Sequence, residues 1–110
     1  MKRIYISIPI TGKCEKTQRK KAKKWQAYFE KKGFEVVNPF DLADRLNAEF
    51  AKLGKVPEYD DYMELDLKEL DECTHIFVCN GWAHSKGCKI EIQQAYENKL
   101  KFIFEGVLLS

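Results

Sequence analysis

The sequence has no long apolar run, no C-x-x-C pair, no internal repeat and no low-complexity tract, and each of these shortages excludes something. The longest early apolar stretch, residues 4–10, is interrupted by Ser7 and Pro9 and falls far short of the roughly 20 residues a membrane helix needs. No small-residue cleavage site follows it, so neither membrane insertion nor export is expected and the expected location is the cytoplasm. The four cysteines, Cys14, Cys73, Cys79 and Cys88, are scattered, which fits reduced thiols better than a disulfide framework. A zinc set can be assembled on paper from Cys73, His75, Cys79, His84 and Cys88. His75 opens and Cys79 closes an apolar strand, from which the side chains are expected to diverge, so no metal is expected.

What is present is enough for one modest core. At 110 residues, 45% hydrophobic and 33% charged, the chain reads as a single globular domain spanning residues 1–110. Its net charge of +2 hides a strong asymmetry. Residues 1–35 hold 11 basic against 3 acidic side chains, whereas residues 36–75 hold 4 against 11. The run Lys16, Arg19, Lys20, Lys21, Lys23 and Lys24 is a nucleic-acid candidate on charge alone. A solvated helix face is the simpler account, since Tyr28 is the one aromatic interleaved with it beyond the core positions.

Hydrophobic periodicity alternates between strand and helix. Residues 3–8 form a β-branched and aromatic strand that Pro9, Thr11 and Gly12 end. Residues 15–32 carry Ala22, Trp25 and Phe29 at spacings of three and four, an amphipathic helix stopped by Gly33. A strand over 34–37 follows, closed by Asn38 and Pro39. A helix over 40–53 has Leu42, Leu46, Phe50 and Leu53 on one stripe, Asp41 at its start and Gly54 at its end. Residues 59–73 form a third helix with Tyr62, Leu65 and Leu70 on one side. Residues 76–79 make an apolar strand, 80–85 a loop, 86–98 a helix and 101–104 a last strand. This alternation predicts an α/β fold: a doubly wound, three-layer, Rossmann-like or flavodoxin-like parallel sheet of four strands in the order 2-1-3-4. Ligands in such sheets collect beyond the carboxyl ends of the strands, here near residues 9–12, 38–41 and 80–85.

Residues 80–87 lead straight into a helix, whose first N–H groups and positive dipole end favour an anion. Ser85 can donate a hydroxyl hydrogen there or serve only as the helix N-cap, and Gly87 permits close approach of a ligand. Glu91 lies six residues on, roughly 9 Å along the helix axis. Between Ile90 and Ile92 it is either a surface carboxylate or a nucleophile for a sugar carbon. From the pattern alone Asp66 reads as an exposed helix acid and Tyr5 as a core aromatic.

Taken together, residues 5–12 (Y-I-S-I-P-I-T-G), Asn38-Pro39, Asp66 before Leu70 and Cys73, and Trp82-x-x-Ser85-x-Gly87-x-x-x-Glu91-x-x-x-Ala95 with Lys99 resemble the nucleoside 2-deoxyribosyltransferase-like superfamily. They resemble most a small branch of it found in bacteria and phages. The resemblance spans nearly the whole chain and implies Glu91 as the nucleophile, Asp66 as the group that handles proton transfer to the leaving base and Tyr5 as the residue that orients the nucleophile. It implies Ser85 as a contact to a 5′-phosphate, since members acting on free nucleosides tend to carry aspartate there. Thr11, Gly12, Lys86 and Gly87 would complete the phosphate contacts, with Ser7, Pro9, Asn38 and Trp82 around the substrate. The chain departs from the pattern at Ile8, where the branch carries glycine, at Thr74, where it carries aspartate, and at Lys89, where a small or apolar residue is usual.

The function expected is hydrolysis or transfer at the N-glycosidic bond of a (deoxy)nucleoside 5′-monophosphate, by a nucleotide N-glycosidase or deoxyribosyltransferase. The alternative is a protein that binds a nucleotide or nucleotide signal in the same pocket without turning it over. Neither needs a metal or organic cofactor. Partners expected are a small nucleoside or nucleotide and further copies of the chain, because Trp82, Val107, Leu108 and Leu109 are more apolar than a free surface requires. A membrane is not expected, and nucleic acid ranks last.

Overall fold

The structure, a computed structural model, describes residues 1–109; the Leu109 side chain and Ser110 lie outside the described residues, and part of the apolar terminus singled out above lies there with them. The elements run β1 (Arg3–Ser7), α1 (Glu15–Lys31), β2 (Glu35–Val37), α2 (Pro39–Ala51), α3 (Tyr59–Leu70), β3 (His75–Val78), a 3₁₀ turn (Trp82–His84), α4 (Lys86–Glu97), β4 (Lys101–Phe104) and α5 (Glu105–Leu109). The four strands are all parallel and ordered β2-β1-β3-β4, as the alternation predicts. Among the described residues no helix is long and apolar enough to cross a membrane.

Side chains alternate across a strand, so β1 supplies both layers of the core. Ile4, Ile6 and the following Ile8 pack with Ala22, Trp25 and Phe29 of α1 and with Phe77 and Cys79. Tyr5 faces the opposite layer with Ile76, Val78, Leu70 of α3 and Ala95 of α4. Burying a side chain such as Phe29 contributes about 1.5–3 kcal/mol, and the ring meets Trp25, Phe34 and Phe77 at centroid separations of 4.8–6.2 Å. The alternation that puts Tyr5 under α4 puts Ser7 there too.

Several boundaries differ from the sequence reading, each for a local reason. α2 starts at Pro39, not residue 40, because Asn38 caps it: the Asn38 side chain accepts the Phe40 N–H at 3.0 Å, and proline suits the first turn. The helix ends at Ala51, so of the stripe Leu42, Leu46, Phe50 and Leu53 only Leu42 is fully buried and Leu53 is 69% exposed. β3 runs over His75–Val78, and Thr74 starts it by accepting the Arg3 N–H and donating to the Arg3 carbonyl, both at 3.0 Å. His75 and Cys79 do not diverge. Cys79 and the Phe34 ring that His75 meets both pack into the α1 layer, and about 13 Å of extended chain separates the two residues. Among the described residues no three His, Cys, Asp or Glu side chains come together as a metal site. The short helix α5 is not foreseen by periodicity at all.

Candidate functional site

Cys88, Glu91 and Ala95 form the buried stripe of α4, so the glutamate occupies a core position rather than a surface one. Only 5% exposed, it receives two short hydrogen bonds from β1: Tyr5 Oη donates to Oε2 at 2.6 Å and Ser7 Oγ donates to Oε1 at 2.7 Å. Both donors sit on the β1 face turned toward α4, two residues apart, which is why one carboxylate meets both. Tyr5 is therefore a core aromatic whose hydroxyl holds the Glu91 carboxylate. Ser7 is wholly buried and spends its hydroxyl hydrogen on Glu91.

The carboxylate borders a cavity of about 750 Å³ beyond the ends of β1 and β3, within the usual range for small-molecule sites. Asp66 reaches the same cavity from α3. Burial pushes the Asp66 carboxyl up to about 7, a rise only partly offset by Tyr5. Glu91 is pushed up to about 8 by burial first and by the Asp66 charge second, against the opposing hydrogen bonds from Tyr5 and Ser7. Two carboxylates in one pocket resist ionising together, so near neutral pH the pair retains a proton. Tyr5, buried beside both charges, is held well above its ordinary value.

At the other end of the cavity stands the N-terminus of α4. Ser85 is its N-cap, accepts the Cys88 N–H at 3.2 Å and also meets the Cys88 thiol, at the cavity wall. The N–H groups of Lys86 and Gly87 belong to the first turn, which intrahelical bonding leaves open. Lys86 lies over the Tyr59 ring at 5.5 Å, next to the opening.

Of the residues singled out from sequence, Glu91, Asp66, Thr11, Ser85, Lys86 and Gly87 line the cavity, and Tyr5 and Ser7 stand directly behind Glu91. Pro9, Gly12, Asn38 and Trp82 do not line it. Asn38 is 3% exposed and occupied at both ends, capping α2 and donating to Gln26 Oε1 at 3.1 Å. Trp82 is 38% exposed on the 3₁₀ turn. Ile8 is buried in the cavity wall, and Lys89 is exposed and does not line the cavity.

The sequence reading missed a wall of three aromatic rings, Phe40, Tyr59 and Tyr62, joined by the Met63 thioether, that lines the cavity. A signal was there, since Tyr59, Tyr62, Met63 and Asp66 recur at spacings of three and four on one face of α3. Tyr62 donates to Asn47 of α2, and Arg19 of α1 pairs with Asp44 of α2 at 2.7 Å, so the three helices close around the mouth. Arg19 and Lys21 are thus committed to carboxylates, which reduces the basic run to its outward lysines.

A family model described as "Domain of unknown function (DUF4406)" matches residues 2–104, and the chain belongs to that family. No curated protein sequence matches it. Among solved structures it is similar to the CMP N-glycosidase BcmB of Clostridium botulinum, with 26% identity and a TM-score of 0.61 over 94% of this chain and 67% of that one. That likeness supports the resemblance to the nucleoside 2-deoxyribosyltransferase-like superfamily.

Proposed function

We propose that this DUF4406 protein cleaves the N-glycosidic bond of a nucleoside 5′-monophosphate, with Glu91 as nucleophile. The observation that carries this reading is the buried Glu91 carboxylate, held by Tyr5 and Ser7 and facing a cavity that ends at a helix N-terminus. The likeness to a CMP N-glycosidase supports it independently. The O–H donors Tyr5 and Ser7 favour the anionic form of Glu91, and the mechanism requires the pair's shared proton to sit on Asp66 when substrate is bound, although burial holds the free Glu91 carboxyl up at about 8 against about 7 for Asp66.

In the first step a Glu91 oxygen bonds to the anomeric carbon while the bond from that carbon to the base breaks. The bonding pair leaves with the base nitrogen, and Asp66 supplies the proton the base requires. Water, deprotonated by Asp66, then attacks the glycosyl ester, freeing the pentose 5-phosphate and restoring both carboxyl groups. Ser85, Lys86 and Gly87 hold the phosphate, and the wall of Phe40, Tyr59 and Tyr62 offers faces on which a base can stack.

Incubation with each ribo- and deoxyribonucleoside 5′-monophosphate, followed by chromatography of free base, tests this. Base released by the natural chain and not by Glu91→Gln is the expected result; no release from any of them defeats the reading. Binding without turnover is the second reading, favoured by Ile8, whose side chain occupies cavity wall where the branch has glycine. Calorimetry that detects nucleotide binding with no base formed selects it.

A further inference from the structure

Glu105 lies outside the cavity yet is as buried as Glu91, at 4% exposed. It follows β4 directly and begins α5. The pairing of β3 with β1 and β4 ends at Val78, opposite Ser7 and Phe104, and one further bond joins the Cys79 N–H to the Ser7 carbonyl at 2.9 Å. Asn80 is the first residue of the exit loop whose N–H has passed the end of the sheet. Glu105 Oε1 accepts that N–H at 2.8 Å. The same carboxylate accepts Trp25 Nε1–H at 3.1 Å and pairs with Lys21 Nζ at 2.7 Å.

From Asn80 the chain reaches the α4 N-terminus through one hydrogen-bonded turn. The His84 N–H meets the Gly81 carbonyl at 3.2 Å, the Ser85 N–H meets the Trp82 carbonyl at 3.1 Å, and the Cys88 N–H meets Ser85 Oγ. Gly81 starts the turn at φ +89°, where a side chain is strained, and a Cβ there would come within 3.4 Å of Pro9. Little slack remains between the Asn80 amide and Ser85.

We infer that Glu105 is a positioning residue for the phosphate end of the cavity: by fixing the Asn80 amide it sets where Ser85 and the first N–H groups of α4 meet a 5′-phosphate. This rests on the proposed reading of that helix end as the phosphate contact. Burial alone would raise the Glu105 carboxyl, but Lys21, the Asn80 N–H and Trp25 outweigh it and hold the group below the usual carboxylate range. The anchor is therefore charged throughout the neutral range. Trp25 and Lys21 belong to α1, so the anchor ties the loop to the helix layer as well as to the sheet.

The test compares CMP with cytidine, which lacks the phosphate, in the natural chain, Glu105→Gln and Lys21→Met, with amide hydrogen exchange read at residues 80–88. Glu105→Gln is expected to raise KM for CMP roughly tenfold with kcat nearly unchanged, to leave KM for cytidine where it was, and to speed exchange at Asn80, Ser85 and Cys88. Lys21→Met should show the same split at smaller amplitude, and Glu105→Asp should recover part of it. Equal losses on both substrates, or unaltered exchange at those amides, overturn the inference. Should the natural chain leave CMP intact and unbound, the proposed function fails by itself. Exchange at residues 80–88 then decides the anchor: faster in Glu105→Gln sustains it, unchanged removes it.

Discussion

Glu91 and Glu105 are buried to the same degree, and each accepts a hydrogen bond from an aromatic side chain, yet the protein treats them oppositely. Glu105 has Lys21 at 2.7 Å and a backbone N–H, and its carboxyl is held low. Glu91 has only neutral hydroxyl donors with a second carboxylate, Asp66, nearby, and it is pushed up to about 8. The first arrangement is a structural joint whose charge is compensated. The second keeps an uncompensated acid at the wall of a cavity, a cost to stability that the proposed role of Glu91 would account for. Burial of a carboxylate therefore says little until its partners are known.

Four substitutions probe that contrast. Glu91→Gln is expected to have the largest effect, lowering kcat for base release at least about 10³-fold while the circular dichroism of the fold is retained, because the amide cannot form the glycosyl ester. Retained turnover in that variant would remove Glu91 from the mechanism. Asp66→Asn should lower kcat about 10²-fold and abolish the alkaline limb that the natural chain's pH–rate profile is expected to have as Asp66 loses its proton near its raised value of about 7.

Stability should respond to pH with opposite signs at the two glutamates. The folded value of Glu105 is depressed, so its contribution is present above the unfolded carboxyl value and is lost as pH falls through the folded one. Urea titration should find Glu105→Gln less stable by about 2 kcal/mol at pH 7, with the gap closing in acid. The folded value of Glu91 is raised, so the natural chain loses stability as pH climbs from the ordinary carboxyl range toward about 8. Glu91→Gln should consequently be the more stable protein at pH 9 and nearly indistinguishable at pH 5; the same sign for both glutamates would dissolve the comparison. The smallest effect is expected at Asn38→Ala, about 1 kcal/mol from the lost α2 cap, with KM unchanged because Asn38 does not line the cavity. A raised KM would restore Asn38 to the substrate contacts.

Much of the architecture was legible in local patterns. Trp25 and Phe29 at helical spacing, the alternating residues 3–8 and the regular succession of strand and helix led to the four-stranded order that the structure has. The boundaries were less legible, since Asn38 and Asp41 are both plausible helix starters and only the Phe40 N–H decides between them. Within the site, Ser85 and Glu91 were legible as a pair six residues apart at a loop-to-helix junction and Asp66 only through the family resemblance, whereas Tyr62 counted as part of an apolar helix side and Tyr59 and Met63 drew no attention. The same three-and-four periodicity describes a stripe against the core and a stripe against a cavity, and sequence does not distinguish them.

By itself, then, the sequence determined what depends on near neighbours: which segments are strands or helices, which side of each is apolar, and that a serine stands six residues before a glutamate. Only the tertiary structure decided what that glutamate experiences. The pairing of residues 84 and 86 positions apart, Ser7 and Tyr5 with Glu91, gives the carboxylate its donors, and the packing of α3 against α4 gives it Asp66. It also decided the fate of Glu105, an unremarked acid after the last strand until Lys21, Trp25 and Asn80 converge on it. The physical reason is common to both: proton affinity and burial are set by charges and donors within a few ångströms in space, and separation along the chain does not reveal which these will be.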